Sequence, residues 1–394
     1  MPRLASITEG VLTVAAARPL PSYAISQTTT AVTEGSSVTF TITTTNIISG
    51  TVLYWSCDGT NIDTADFTDA AVSGTVTITN NSGTVARTLA YGASEATETF
   101  TFNLRTGSVS GPIVASSQAV TITDVLPTYS VSYLVVGGGG GTGTYRSGGA
   151  GGGGVLSGSA TFNGGVSYTI TVGGGGAAGT NNGTNSLISG TGVSVTALGG
   201  GYGGDGGGPA GSGSSGGGIG RDSGNRSAGT GTPGQGYNGG RCGQGGGWNG
   251  AGGGGGATQQ GQDGFGNNNM GSEYGGYGGA GAANPISGST AGQLSSGTYY
   301  VGGGGGGTKQ GGGGGAGGVG GGGNGGESGA QNGGTNTGGG AGGNQSGGMT
   351  GGSGVVVVAY STSFPAATTT GTVNGFISGA NRIYQFTGSG TITI

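Results

Sequence analysis

The chain is predicted to be mainly β, in three successive styles: an N-terminal β-sandwich, a glycine-rich domain of β-strands and polyglycine-II rods, and a small C-terminal β unit. Three observations predict this. Short segments between residues 23 and 125 alternate apolar and polar residues with a period of two. Glycine supplies 112 of 394 residues, against a usual share of about 7%. Charged residues are only 6% and histidine is absent, whereas a solvated disordered tract ordinarily carries many charges.

The first segment, "MPRLASITEGVLTVAAARPLP", has Glu9 in the middle of its apolar stretch, which argues against a secretory signal. Residues 1–22 are expected to form an extended attachment arm. From 23 to 126 the strands read "SYAIS", "SVTFTIT", "TVLYWSC", "TVTIT", "TVARTLAY", "TFTFNL" and "AVTIT", separated by Gly, Asn and Ser. Seven short strands with such spacing fit a sandwich of roughly 100 residues. Trp55 is the expected core aromatic.

At Tyr129 the composition shifts. "SVSYLVV", "YTITV", "SLISGTGVSVTAL" and "GGSGVVVVAY" bracket and punctuate the glycine between 129 and 360, which a plain linker would not need. Ordering a glycine backbone costs roughly 1–2 kcal/mol and buries almost no side chain in return. Backbone hydrogen bonds between polyproline-II-type rods can offset that cost, since such a rod has three residues per turn and points every N–H and C=O outward. In "GGGGGAGGVGGGGNGGESG" the rods would face Ala316, Val319 and Asn324 outward. Collagen is excluded, because neither a strict G-X-Y period nor proline enrichment is present. Residues 361–394, "ATTTGTVNGFISGANRIYQFTGSGTITI" at their core, read as two or three strands with Gly turns.

Several function classes are weakened by composition. A net charge of −4 with the single lysine Lys309 argues against nucleic acid. No apolar run approaches the roughly 20 residues of a membrane helix, so no membrane insertion is expected. Gly138-x-Gly140-x-x-Gly143 follows a strand, but no helical period follows it, so it is not a dinucleotide site. Without histidine there is no catalytic triad, and the acids of the glycine-rich part are scattered, so an enzyme is not expected. Cys57 and Cys242 are read as free thiols of a chain folded in a reducing cytoplasm. Binding is favoured by "YNGGRCGQGGGWNG" and "EYGGYGG", which supply Tyr237, Arg241, Trp248, Tyr274 and Tyr277, with Phe265 between them. Tyr and Trp faces stack on sugar rings, and Arg forks pair with carboxylate or phosphate. The alternative is that these aromatics pack on one another against the rods.

Two resemblances sharpen the reading. "TEGSSVTFTI", "DGTNIDTADFTDA", "SGTVTI" and "SEATETFTFNL" resemble, in that order, the Calx-β family of immunoglobulin-like sandwiches. Many of its members bind calcium through loop carboxylates, which at matching positions would be Glu34, Asp58, Asp66, Glu95 and Glu98. Where that family has an acidic pair before the last Glu loop, this chain has "AYGAS", so a scaffold with solvated loop acids is preferred to a calcium site. The frame "SYLVVGGGGG…GGSGVVVVAY" followed by "RIYQFTGSGTITI" resembles the glycine-rich domain of phage tail-fibre proteins, those of marine phages and cyanophages above all. That resemblance implies a virion protein assembled in the host cytoplasm, contacting other tail or baseplate proteins through the N-terminal arm and host surface polysaccharide through the glycine domain. A homotrimer is the expected oligomer, and no cofactor is required. The alternative is a fibre or decoration protein with an assembly role and no receptor.

Overall fold

The alternating strands assemble into two units, Met1–Pro127 and Thr128–Ile394. The computed structural model describes residues 19–91, 98–125, 127–221, 226–243, 250–266, 274–309, 311 and 313–394. The described chain is mainly β, with one short 3-10 turn at Thr64–Asp66. No helix among the described residues is long and apolar enough to cross a membrane.

In the first unit, Ser22–Gln27, Ser37–Thr45 and Ser82–Thr88 form a three-stranded antiparallel sheet. A second sheet runs in the order Ala31–Thr33, Val120–Thr123, Glu98–Arg105, Thr51–Thr60, Ser73–Ile78, with Ile113–Ser116 also paired to Glu98–Arg105. Period-two alternation turns Val38, Phe40 and Ile42 of one sheet toward Leu53, Trp55, Phe100, Phe102 and Leu104 of the other. Phe40 stacks on Phe102 with ring centroids 4.4 Å apart, and Trp55 stacks on the same ring at 5.7 Å. The Trp55 indole nitrogen donates to the Thr75 carbonyl at 3.2 Å, so its burial leaves no donor unmet. Arg87 is also buried in this core. Its guanidinium lies over Phe67 and Trp55 and donates to both carboxylate oxygens of Asp69, at 2.7 and 2.9 Å. Burying a cation requires such pairing.

The second unit joins sheets to glycine rods. One antiparallel sheet runs Val155–Asn163, Thr128–Val136, Val355–Ser361, Asn381–Phe386, Val373–Ser378. Another runs Val193–Ala197, Ser186–Gly190, Ser167–Thr171, Gly390–Thr393, Thr368–Thr369. The four-valine run is buried on both faces. Val356, Val358 and Tyr360 face the core with Tyr168 and Ile170, while Val355, Val357 and Ala359 face Ile286 and Val301. Such a strand needs partners on both edges, and Asn381–Phe386 supplies the second. Residues 361–394, read from sequence as a small separate β unit, are therefore strands of these two sheets.

Strands lead straight into rods: Val136 into 137–142, Ala197 into 198–204, Val301 into 302–308. The rod geometry is written in the hydrogen bonds. Within 148–154, Gly148, Gly151 and Gly154 donate to Gly204, Gly201 and Leu198 at 2.9, 2.8 and 2.9 Å. Gly149 and Gly152 donate to Gly252 and Gly255, both at 3.0 Å, and Ala150 and Gly153 donate to Ala341 and Gly338 at 2.9 and 2.7 Å. Each neighbour is thus revisited every third residue, the period of a polyglycine-II rod. The carbonyls of the same run accept from Gly137 and Gly140, from Gly305 and from Gly218, which completes six surrounding rods. Runs 250–256 and 302–308 have six neighbours as well, and these three runs touch one another pairwise.

Glycine is required in this trio by room. A methyl on Gly254 would fall on the Ala150 carbonyl, one on Gly304 on the Gly254 carbonyl, and one on Gly149 on the Gly305 carbonyl. None of these three glycines has a left-handed φ, so an alanine backbone could adopt the path but its methyl has no space. At the margins, where a neighbouring rod is missing, amide side chains replace it. Asn182, Asn238, Asn324 and Asn332 accept from the backbone N–H of Tyr202, Gly231, Gly317 and Thr350 at 2.9, 2.8, 2.9 and 3.0 Å.

Gly254→Ala is expected to destabilise the rod unit by about 3 kcal/mol or more, since only backbone stands in the way and it cannot rotate aside. Gly313→Ala, where a methyl would meet open space, should change stability by less than about 0.5 kcal/mol. Thermal melting followed by circular dichroism checks both. Equal melting temperatures for the two variants would contradict backbone-limited packing.

Candidate functional site

Because the sheets occupy one end of the rods, the reversals at 143–147, 177–181, 205–210, 327–330 and 344–348 gather at the other. Side chains larger than a methyl fit mainly at these turns and on the outer flank. The distribution of charge follows. Among the described residues from 128 to 394, the charged side chains other than Arg382 are Arg146, Asp205, Arg221, Arg226, Arg241, Asp263, Lys309 and Glu327. All eight lie in or within about one rod turn of the distal reversals.

The acids there work inward. Asp205 accepts from the Tyr145 backbone N–H at 2.6 Å, Asp263 from that of Arg241 at 2.6 Å, and Glu327 from that of Gly311 at 2.8 Å. Arg221 is buried and donates to the Gln345 amide oxygen at 3.1 Å. The Arg146 guanidinium lies 4.8 Å from the centre of the Tyr145 ring. Arg226 and Arg241 are exposed, so the distal end turns cations outward while its acids tie the turns.

The aromatic candidates separate along the rods. Tyr274 and Tyr277 are three residues apart and share one outward face of run 274–281. Phe265, on the adjacent run 259–265, exchanges backbone hydrogen bonds with Tyr274 at 2.9 and 3.3 Å. The rings of Phe265 and Tyr274 are 5.3 Å apart with planes within 13°, and those of Tyr274 and Tyr277 are 6.5 Å apart with planes within 19°. Tyr237 does not join them. It lies at the sheet end of its rod, where it lines a cleft of about 470 Å³ with Pro233, Ala257 and Gln260. Arg241 is four residues further on, hence on another face and near the distal end. Trp248 lies outside the described residues. The alternation in "YGGYGG" marked the Tyr pair, but the stacking of Phe265 on it depends on an inter-rod register that local sequence does not carry.

The carboxylates compared with a calcium set are engaged elsewhere. Asp58 accepts from Ser56, Asn103 and Arg105 at 2.8, 2.7 and 2.9 Å. Asp66 accepts from the Asp63 backbone N–H at 2.6 Å in a capping box, and Glu34 from that of Val125 at 3.1 Å. Glu98 is buried, and Glu95 lies outside the described residues. Among the described residues, no three His, Cys, Asp or Glu side chains converge on a possible metal position. Cys57 and Cys242 are both buried, and burial pushes the Cys57 thiol up to about 12, too high for a nucleophile at neutral pH.

The model of the glycine-rich domain family matches residues 115–361, more than half of the chain, and the chain belongs to that family. The matched span contains every rod, and it ends before the strands that complete both sheets. No curated protein and no solved structure matches the chain.

Partial burial pushes the Asp58 carboxyl up, but its hydrogen bonds from Asn103, Ser56 and Arg105 together hold it below the ordinary 3.8. Asp69 is likewise held low, by Arg87. A depressed folded-state value contributes stability above the unfolded-state value and loses it as pH falls through the folded one. The melting temperature of the sandwich, read from Trp55 emission in a Trp248→Phe background, should therefore hold from neutral pH to about 5 and fall below about 4. Asp58→Asn should lower the neutral-pH value and flatten part of that fall. An acid limb identical to the parent's would contradict the assignment.

Proposed function

We propose that the chain is a bacteriophage virion protein, a tail-fibre adhesin that binds host surface glycans without catalysis. The observation that carries this reading is the segregation of charge. A neutral, glycine-packed rod bundle gathers Arg226, Arg241 and Lys309 at one end, next to the exposed rings of Tyr274 and Phe265. Arginine forks suit the carboxylates and phosphates of acidic polysaccharide, and exposed aromatic faces suit its sugar rings. A bundle held by backbone alone leaves its turns open to variation, which suits a surface that must follow a changing receptor.

In this reading residues 1–22 attach to tail or baseplate proteins, the sandwich is a Calx-β-like spacer, and the fibre is a homotrimer. Calcium is not required, since Asp58 and Asp66 are already engaged by the chain's own donors. The resemblance of the frame around the glycine runs to phage tail-fibre proteins supports the assignment to a virion.

Purified chain added to host cells should block attachment of the parent phage. The triple variant Arg226→Ala, Arg241→Ala, Lys309→Ala, matched by circular dichroism, should need at least about tenfold more protein for the same block, ~1.4 kcal/mol of binding. If neither protein blocks attachment and the chain maps along the particle away from its tip, the protein is a decoration without a receptor.

A further inference from the structure

The distal cations account for attraction to acidic groups, and the exposed rings beside them on the bundle flank form a contact of different chemistry. Phe265, Tyr274 and Tyr277 are 42%, 47% and 48% exposed. Three features distinguish them from isolated surface aromatics. Their planes are nearly parallel, within 13° and 19° of one another. Their centroid spacings of 5.3 and 6.5 Å exceed the roughly 3.5–4 Å of full face-to-face contact, so each ring is offset and part of its face stays open. Their backbones are fixed, because runs 259–265 and 274–281 are hydrogen-bonded from Phe265 to Tyr274 and from Gln262 to Tyr277 at 2.9 Å each.

One rod turn rises about 9 Å, so the Tyr274 and Tyr277 rings, 6.5 Å apart, lean toward each other to make a continuous strip. Beside them, Gln262 is exposed on the neighbouring rod, level with Tyr277, and brings an amide that can donate and accept. We propose that Phe265, Tyr274 and Tyr277 form a stacking strip for the pyranose rings of an uncharged saccharide chain laid along the rod flank, with Gln262 bonding its hydroxyls. The proposal rests on the glycan-binding reading above and assigns it a second contact, different in chemistry from the distal cations.

The size of the strip favours a saccharide over a protein partner. Three half-exposed rings offer roughly 300 Å², well short of the roughly 800 Å² per partner of a standard protein interface. The rings bind through apolar C–H faces, so this contact is insensitive to salt, while the contact of Arg226, Arg241 and Lys309 with anions weakens as salt screens it.

The full chain is titrated with uncharged oligosaccharides of β-linked glucose, galactose and N-acetylglucosamine, at low and high salt, by calorimetry and by intrinsic tyrosine emission. At least one of them should bind with an affinity that salt does not change. Tyr274→Ala, Tyr277→Ala and Phe265→Ala should each weaken it about two- to tenfold, while Phe265→Tyr retains it. Binding that all three alanine variants preserve overturns the strip, as does binding to the wild type that leaves tyrosine emission unchanged, a readout that needs no variant to fold. If none of the sugars binds but the wild type still blocks phage attachment, the strip is overturned and the distal cations stand. If the protein neither binds sugars nor blocks attachment, the adhesin reading falls with it.

Discussion

Everything in the second unit depends on backbone packed against backbone. A glycine rod gains almost nothing from side-chain burial, and each ordered residue costs roughly 1–2 kcal/mol of conformational freedom. What offsets that cost is dense hydrogen bonding between rods: every backbone N–H of three mutually touching runs donates, and each run has six neighbours. The two five-stranded sheets hold the lattice in register, because their strands continue into the rods without an intervening loop. The valine-rich strand Val355–Ser361, buried on both faces, is the firmest of these anchors.

The same packing decides where chemistry can occur. No side chain beyond a methyl fits among the three central runs, apart from Thr308 at the distal margin. Charged groups are therefore displaced to the reversals, and larger aromatic groups to the flank, the turns and the sheets. This accounts for the contrast between a neutral bundle and a charged end, and for acids such as Asp205, which accepts from a backbone N–H in a reversal, and Asp263, which accepts from one on a neighbouring rod. The amides of Asn182, Asn238, Asn324 and Asn332 perform the same task along the sides.

Much of this was legible in the sequence, and the reasons are local. Period-two alternation placed Val38, Phe40 and Ile42, and Phe100, Phe102 and Leu104, on the core faces where they lie. Of the three residues expected to point outward from the glycine run, Ala316 and Asn324 are exposed and Val319 is half-buried. The assignment of 361–394 to the sheets was not legible, since the pairing of Asn381–Phe386 with Val355–Ser361 joins segments by a register that no local pattern specifies. The candidate site was half legible. Tyr274 and Tyr277 stand together as their spacing implies, but Tyr237 and Arg241, four residues apart, are turned to different faces by the rod's three-residue period, and the rise of the rod carries Arg241 toward the distal end. The bidentate seat of Arg87 on Asp69 in the sandwich core gave no signal at all, because a lone arginine in a strand usually faces solvent.

The central claim is that the glycine runs are ordered by hydrogen bonds between rods, and backbone amide exchange tests it most directly. Gly149, Gly152, Gly254 and Gly305 should exchange as slowly as the amides of Val356 and Val358 in the central strand, because both open only when the unit unfolds. Exchange of those glycines at random-coil rates, with the valines still protected, would mean that the sheets fold alone and the rods do not form.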